Sequence, residues 1–246
     1  MFSLFKKKVT PDLSFIGVDM HSHLLPGLDD GLKDMETTVE FIRDLHSLGY
    51  TRLICTPHIF AELYPNSPET ILPKLEAVQN ALKENDIPVT VEAAAEYMVD
   101  NDMEELVNSG RPLLTFGKNK KLILIEMSYV AASPNIEPVI FALKLKGLQP
   151  VLAHPERYNF YHPDHEKYER MVELGCILQV NLLSLLGYYG RPVKMAAEKL
   201  IHKNMVSLVG TDMHHINHLN ALKELAGRKE FYKLMDKVNP QNKILL

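Results

Sequence analysis

Seven short apolar runs alternate with seven stretches of helical spacing along this chain, and that alternation limits the folds open to it. The runs that read as strands are 15–19, 52–56, 88–95, 121–126, 149–153, 176–181 and 206–210. Helices are expected at 34–48, 68–85, 101–108, 134–146, 163–174, 192–203 and 216–236. In the first of these, Met35, Val39, Phe41, Ile42 and Leu45 suit an amphipathic helix, and Gly49 follows as a stop. Pro68-Glu69 opens the next helix, and Pro88 stands at a strand start, where a missing N–H is tolerated. Strand–helix alternation implies a parallel sheet with right-handed crossovers. Closed on itself, such a sheet is a seven-stranded relative of the (β/α)8 barrel. At 246 residues and 46% hydrophobic, the chain suffices for one barrel, and no linker, low-complexity segment or repeat divides it. One α/β domain over residues 14–246 is expected, after a short N-terminal extension, residues 1–13.

The polar residues gather where those runs end. In Asp19-Met20-His21-Ser22-His23, two histidines at i and i+2 of an extended segment project to one side and can reach one cation. His58 follows the second strand and Glu96 the third. Glu126, His154 and Asn181 end the fourth, fifth and sixth, and Thr211-Asp212-Met213-His214 ends the seventh. In a barrel all strand C-termini open on one face, where active sites lie. Buried imidazoles and carboxylates converging there are costly unless cations neutralise the carboxylates. A metal centre is the expected reason for the pattern.

Imidazole and carboxylate ligands without thiolate suit Mn, Zn, Fe or Ni better than a sulfur-rich structural zinc site. The ligands outnumber the needs of one ion, so at least two are expected, with Glu96 placed to bridge them. Asp29-Asp30-Gly31 adds two carboxylates after the first strand, either as an ordinary turn or as part of a third metal site. Such clusters lower the pKa of water and clamp phosphoryl oxygens. Tyr97, Tyr129, Tyr158 and Tyr161 fall near the expected mouth, where they either flank an aromatic substrate or pack in loops.

Several function classes are excluded. A formal charge of −4 leaves no basic footprint for nucleic acid. No segment reaches the length of about 18 apolar residues that a membrane span needs, so stable membrane insertion is not expected. The first eight residues, Met1 to Lys8, lack a hydrophobic stretch of signal-peptide length, and three lysines give them at most a weak attraction to anionic lipid. Cys55 and Cys176 form no CxxC and sit inside apolar runs, which reads as two buried thiols in a reducing compartment. Neither has an arginine six residues on, where Ala61 and Leu182 stand, so a cysteine-nucleophile phosphate loop is not expected.

Residues 19–31 (Asp-Met-His-Ser-His-Leu-Leu-Pro-Gly-Leu-Asp-Asp-Gly), Thr56-Pro57-His58, Ala95-Glu96-Tyr97, His154-Pro155-Glu156-Arg157-Tyr158 and Thr211-Asp212-Met213-His214 carry a resemblance. They look like the polymerase-and-histidinol-phosphatase (PHP) superfamily. Within it they resemble the bacterial CpsB/CapC-type metal-dependent protein-tyrosine phosphatases of capsule and exopolysaccharide loci. The resemblance spans residues from about 14 to about 236, and the long first motif and the His-Pro-Glu-Arg-Tyr string are its specific parts. It implies a distorted (β/α)7 TIM-like barrel and a trinuclear centre. It places His21, His23, Glu96 and Asp212 on one metal. Glu96, Glu126 and His154 fall on a second, and Asp30, His58 and His214 on a third. Two to three divalent transition-metal ions follow, manganese first, with iron, zinc, cobalt or nickel as alternatives. Arg157 resembles the family's phosphate-clamping arginine, and with Asp212 and His214 it makes the candidate catalytic set. Relatives usually offer a second arginine after the final Asp-x-His. Here the stretch reads His215-Ile216-Asn217-His218-Leu219-Asn220, leaving His218 or another basic group to substitute.

The activity so implied is cytoplasmic hydrolysis of protein phosphotyrosine, with the tail of a bacterial polysaccharide-biosynthesis tyrosine kinase as partner. A metal-bridging hydroxide is expected to attack phosphorus, with the metals and Arg157 stabilising the oxygens. A histidinol-phosphate phosphatase and a non-catalytic metal-binding partner module are the alternatives.

Overall fold

The structure is a computed structural model that describes residues 10–119 and 121–245. The first half runs β1 (Val18–Asp19), α1 (Met35–Ser47), β2 (Arg52–Cys55), β3 (His58–Ile59), α2 (Pro68–Glu84), β4 (Thr90–Ala93), β5 (Glu96–Met98), α3 (Asn101–Ser109) and β6 (Leu122–Glu126). The second half runs α4 (Ile136–Leu145), β7 (Gln149–Ala153), α5 (Glu166–Glu173), β8 (Ile177–Asn181), α6 (Leu182–Leu186), α7 (Arg191–His202), β9 (Val206–Gly210), α8 (Ile216–Ala226), α9 (Lys229–Val238) and α10 (Asn242–Leu245). Helix starts carry their own signals. The carboxylates of Asp34 and Asp100 accept from Thr37 N and Met103 N, each at 2.8 Å, satisfying first-turn N–H groups of α1 and α3.

All paired strands are parallel. One sheet has the order β1-β2-β4 and the other β3-β5-β6-β7-β8-β9. The two are continuous along the chain: β3 follows β2 after Thr56-Pro57, and β5 follows β4 after Ala94-Ala95. Pro57 has no N–H to give the ladder. Bonds from Ala94 N to Cys55 O (2.8 Å) and Glu96 N to Pro57 O (3.1 Å) carry the pairing across the break. Beyond β1 and β9 the chain pairs again. Asp212 N donates to His21 O at 2.8 Å and His23 N to Met213 O at 2.9 Å. Hydrogen bonding therefore links the last of seven strand positions back to the first, in a distorted barrel.

Two buried clusters follow from this geometry. Val18, Met20, Ile54, Ala94, Leu122, Leu124, Val151, Ala153 and Leu208 form the smaller one with Phe116, whose backbone pairs with Leu122. Most of these are alternate strand residues, which is the set that faces the barrel interior. The larger cluster lies between the strands and the helices that cover them, with Ile42, Leu45, Val139, Leu143 and Leu200 among its members.

Two differences from the sequence reading have local causes. The first strand begins at Val18 and not at 15, because residues 14–16 form a turn closed by Ile16 N on Leu13 O, and Gly17 has φ +65°. The long helix expected at 216–236 is two helices, α8 and α9, parted at Gly227-Arg228. The stretch after His154, between the strand expected to end at 153 and the helix expected from 163, coils into 3-10 turns at Pro155–Arg157 and Asn159–Tyr161. Of the expected N-terminal extension, residues 1–9 and their lysines lie outside the described residues. Leu13 is fully buried and donates its N–H to Leu48 O.

Candidate metal centre

The interior alternation that buries Leu122 and Leu124 continues to Glu126, and that of Ala94 continues to Glu96. Period two therefore delivers carboxylates to the C-terminal mouth of the barrel. Two other candidates sit just past their strands on left-handed backbone: His154 at φ +32° and Asp212 at φ +51°. Such conformations cost about 1–3 kcal/mol for residues other than glycine and concentrate at functional sites. Two glycines make room. A Cβ on Gly210 would lie 2.8 Å from His21 Cβ, and one on Gly31 would lie 2.2 Å from His23 O.

All nine candidate ligands converge. His21 Nε2 and His23 Nε2 lie 3.3 Å apart, at 3.1 and 3.3 Å from Glu96 Oε2 and 3.3 and 3.5 Å from Asp212 Oδ1. His154 Nε2 stands 3.0 Å from Glu96 Oε1. His58 Nδ1 stands 2.8 Å from Glu126 Oε1 and 3.3 Å from Glu96 Oε2. Asp30 Oδ1 lies 3.5 Å from His58 Nε2 and 3.4 Å from His214 Nε2. Four sets can each enclose a cation: His21/His23/Asp212, His21/Glu96/His154, His58/Glu96/Glu126 and His23/Asp30/His58/His214. Glu96 belongs to two of them, with its two oxygens facing different histidines. His154 gathers with His21 and Glu96, whereas Glu126 gathers with His58 and Glu96.

A further ring of residues orients the ligands. Gln179 Oε1 lies 2.8 Å from His21 Nδ1, and Asp29 Oδ2 lies 2.7 Å from His23 Nδ1. Both acceptors fix a proton on Nδ1 and turn Nε2 inward, where its lone pair is free for a cation once the imidazole is neutral. Asp29 also accepts from Gly31 N (2.9 Å) and His58 N (3.0 Å), so the Asp29-Asp30 pair divides its work. Asp30 faces the ligand cluster and Asp29 orients it. Gln179 Nε2 donates to Asn181 Oδ1, and Asn181 Nδ2 donates to Asp212 Oδ2 at 2.7 Å. Asp19, pushed up to about 6 by burial, accepts from Thr211 N and its hydroxyl and ties the ends of β1 and β9 together.

The electrostatics fit cations. Burial opposes charge on His21, but Glu96 and Asp212 beside it outweigh that and raise its pKa to about 9. His23 is likewise raised well above its ordinary value, against burial, by Asp29 and Glu96. Burial alone would raise Glu96 and Asp212, yet the surrounding histidines hold both well below the carboxylate range. Protons on imidazole thus fill the place of positive charge that the carboxylates demand. Apart from its 3.0 Å approach to His154 Nε2, Glu96 Oε1 is buried without a hydrogen bond, the condition of an atom that awaits a further partner. Nitrogen and oxygen donors with unsatisfied buried atoms suit transition-metal cations.

At the rim, Arg157 Nη1 donates to Asp212 Oδ2 at 2.9 Å, and its side chain is 22% exposed. The guanidinium lies over the Tyr129 ring at 4.4 Å and the Tyr189 ring at 4.3 Å. Asp212 therefore turns one oxygen to the histidines and the other to Arg157. Of the four tyrosines expected near the mouth, only Tyr129 is exposed there, at 45%. Tyr97 and Tyr158 are buried because their hydroxyls accept from Leu114 N and Met127 N, and Tyr161 packs against Tyr168. His218 does not replace a second arginine. It is buried beside Asp212 O at 3.0 Å, and burial lowers its pKa to about 4, leaving it neutral. Both cysteines are free and buried, with thiols pushed up to about 12 by burial.

The model of the capsular polysaccharide synthesis family CpsB/CapC matches residues 17–232. This chain belongs to the CpsB/CapC family. It is 30% identical over 203 residues to the tyrosine-protein phosphatase YwqE of Bacillus subtilis strain 168, covering 82% of this chain and 79% of that one. It is 25% identical over 206 residues to the tyrosine-protein phosphatase CpsB of Streptococcus agalactiae serotype V, covering 81% and 84%. Among solved structures, those of YwqE from Bacillus subtilis and CpsB from Streptococcus pneumoniae are described as unique metal-dependent tyrosine phosphatases. The match has a TM-score of 0.78 at 28% identity and covers 93% of this chain and 94% of that one. A lactonase from Listeria monocytogenes, at TM-score 0.51 and 12% identity over 95% and 92%, shares the fold alone.

Within this CpsB/CapC chain, the sequence reading missed Gln179, Asp29 as an orienting group, and Tyr189. Gln179 had a signal, since a glutamine two residues before Asn181 in an otherwise apolar run shares its face. Tyr189 had none. It follows α6, five residues whose apolar run has no readable amphipathic period.

Proposed function

We propose that this chain is a metal-dependent protein-tyrosine phosphatase that releases phosphate from tyrosines on the tail of a bacterial tyrosine kinase serving polysaccharide synthesis. The observation that carries this reading is the convergence of five imidazoles and four carboxylates beside Arg157, in a chain of the CpsB/CapC family. Residues 14–246 act in it as one domain, in the cytoplasm. No helix among the described residues is long and apolar enough to cross a membrane.

His21, His23, Asp30, His58, Glu96, Glu126, His154, Asp212 and His214 would hold two to three divalent transition-metal ions, manganese first, with iron, zinc, cobalt or nickel as alternatives. Bound there, the ions would supply an activated water and a positive surface for phosphoryl oxygens. The chain's own residues do the rest. Arg157 has one nitrogen on Asp212 and further N–H groups to offer two phosphoryl oxygens. Asp212 holds that guanidinium beside the ligand cluster, and Asn181 holds Asp212. Asp30 and His214 form the open rim, with side chains 55% and 12% exposed, where a phosphate enters. The tyrosine ring passes the exposed face of Tyr129. Neither cysteine serves as nucleophile, since burial holds both thiols protonated. A phenolate leaves with a pKa near 10, within reach of water or a rim histidine as proton source.

The test is phosphate release from matched peptides bearing phosphotyrosine, phosphoserine or phosphothreonine, and from histidinol phosphate, with Mn, Fe, Zn, Co and Ni in turn. A tenfold or greater preference for phosphotyrosine, roughly the effect of 1.4 kcal/mol, is expected. A like preference for histidinol phosphate would make the chain a small-molecule phosphatase. Metal uptake with no turnover on any substrate would make it a binding module.

A further inference from the structure

The geometry points to Tyr189 as the positioning residue of Arg157: its ring, with that of Tyr129, fixes the plane of the guanidinium toward the phosphate. This rests on the reading of Arg157 as the phosphate-binding residue. The Arg157 guanidinium carbon lies over two tyrosine rings, 4.4 and 4.3 Å from their centroids, and cation–π contacts of this kind leave the N–H edge free for hydrogen bonds. One edge nitrogen is taken by Asp212 Oδ2. The remaining N–H groups are thereby held in one plane, so that little side-chain entropy remains to be lost when phosphate binds.

The two loops that make the contact are tied to each other. Glu156, the neighbour of Arg157, is fully buried and its Oε1 accepts from Asn181 N at 2.9 Å and Ser184 Oγ at 2.6 Å. Ser184 belongs to α6. After α6 the chain turns at Gly187, φ +86°, and Gly190, φ +97°, closed by Gly190 N on Gly187 O at 3.0 Å. Tyr189 sits inside that turn. One carboxylate thus locks the turn of Arg157 to the helix that presents the ring. Of the two rings, Tyr189 is the one whose contacts avoid the ligand cluster. Tyr129 lies 3.2 Å from His154 Nε2 through its hydroxyl, whereas Tyr189 packs against Arg157, Tyr188 and His218. The Tyr189 hydroxyl is buried with no hydrogen-bond partner, so losing it sacrifices no bond.

Metal-loaded full-length protein carrying Tyr189→Phe, Tyr189→Leu, Tyr189→Met, Arg157→Ala or Arg157→Ala with Tyr189→Leu tests this. Readouts are kcat/KM on a phosphotyrosine peptide, inhibition by inorganic phosphate, and metal content. Tyr189→Phe should stay within about threefold of the parent. Tyr189→Leu and Tyr189→Met should each lose about 10- to 30-fold in kcat/KM and in phosphate affinity, the effect expected of one desolvated cation–π contact, with metal content unchanged. On the Arg157→Ala background, Tyr189→Leu should cost less than about twofold, because the group it positions is gone. A full further loss there, or no loss in the aliphatic variants, overturns the positioning role. An active Arg157→Ala protein with parental phosphate affinity overturns the reading of Arg157 itself. Should both aliphatic variants fail to fold, the ring-current shift of the Arg157 Nε–H proton decides. In chelator-treated protein it should be present in the parent and in Tyr189→Phe, and its absence overturns the clamp.

Discussion

Removing metal should invert the way this protein's stability depends on pH. Without cations the carboxylates are balanced by protonated imidazoles. His21 has its pKa raised from 6.5 to about 9, against burial, by Glu96 and Asp212. A group whose pKa is raised on folding contributes stability that is fully present below the unfolded value, here 6.5, and is lost as pH climbs through about 9. For His21 that contribution is on the order of 3 kcal/mol. Depressed Glu96 and Asp212 act in the other direction. Their contribution is present above about pH 4.5, the ordinary carboxylate range, and is lost as pH falls below it. Chelator-treated protein should therefore melt highest between about pH 5 and 6.5 and lose about 6–12 °C by pH 9, at roughly 2–4 °C per kcal/mol for a chain of this size. With manganese present the order reverses between pH 6 and 8, because cations need deprotonated imidazole and bind more tightly as protons leave. Thermal denaturation followed by circular dichroism, with chelator and with saturating manganese, reads both curves. A metal-free melting temperature that is flat or rising from pH 6 to 9 would refute the claim that imidazolium protons occupy the cation positions.

Other outcomes follow from the same geometry. Glu96→Gln should remove metal from more than one position, because Glu96 belongs to two of the enclosing sets, and elemental analysis of purified protein reads this directly. Arg157→Ala should lower kcat/KM by roughly two to three orders of magnitude, as for one preorganised charge-stabilising donor, while metal content stays unchanged. Asn181 still donates to Asp212 Oδ2 in that variant, so the metal-loaded melting temperature should move by no more than a few degrees. Cys55→Ser with Cys176→Ser should cost stability through two buried sites, yet turnover per folded molecule should match the parent under reducing or oxidising conditions. Gly31→Ala places a Cβ against His23 O, so metal content should fall even where circular dichroism shows an intact fold.

The parts of this molecule that were legible from sequence share one property: each is decided by its own short stretch. Leu122-Ile123-Leu124-Ile125 before Glu126 announces a buried strand with a ligand at its end, and that is what β6 is. The Asp34 cap and the apolar spacing of α1 are likewise local. What sequence left hidden depends on residues far apart in the chain. Gln179 orients His21 from 158 positions away, and Tyr189 reaches Arg157 across two loops that the Glu156 carboxylate ties together. Histidine makes the point most sharply. His21 and His218 are the same side chain, both buried, and both near Asp212. His21 meets the carboxylates of Glu96 and Asp212 and is driven to about 9, while His218 meets a backbone carbonyl with His215 nearby and falls to about 4. Desolvation is common to both, so the partner decides the charge, and the partner is set by strand closure and not by composition. A basic residue type at the expected position is therefore not a positive charge there. In this chain the guanidinium of Arg157, whose charge burial cannot remove, is the cation at the mouth that the fold takes care to hold still.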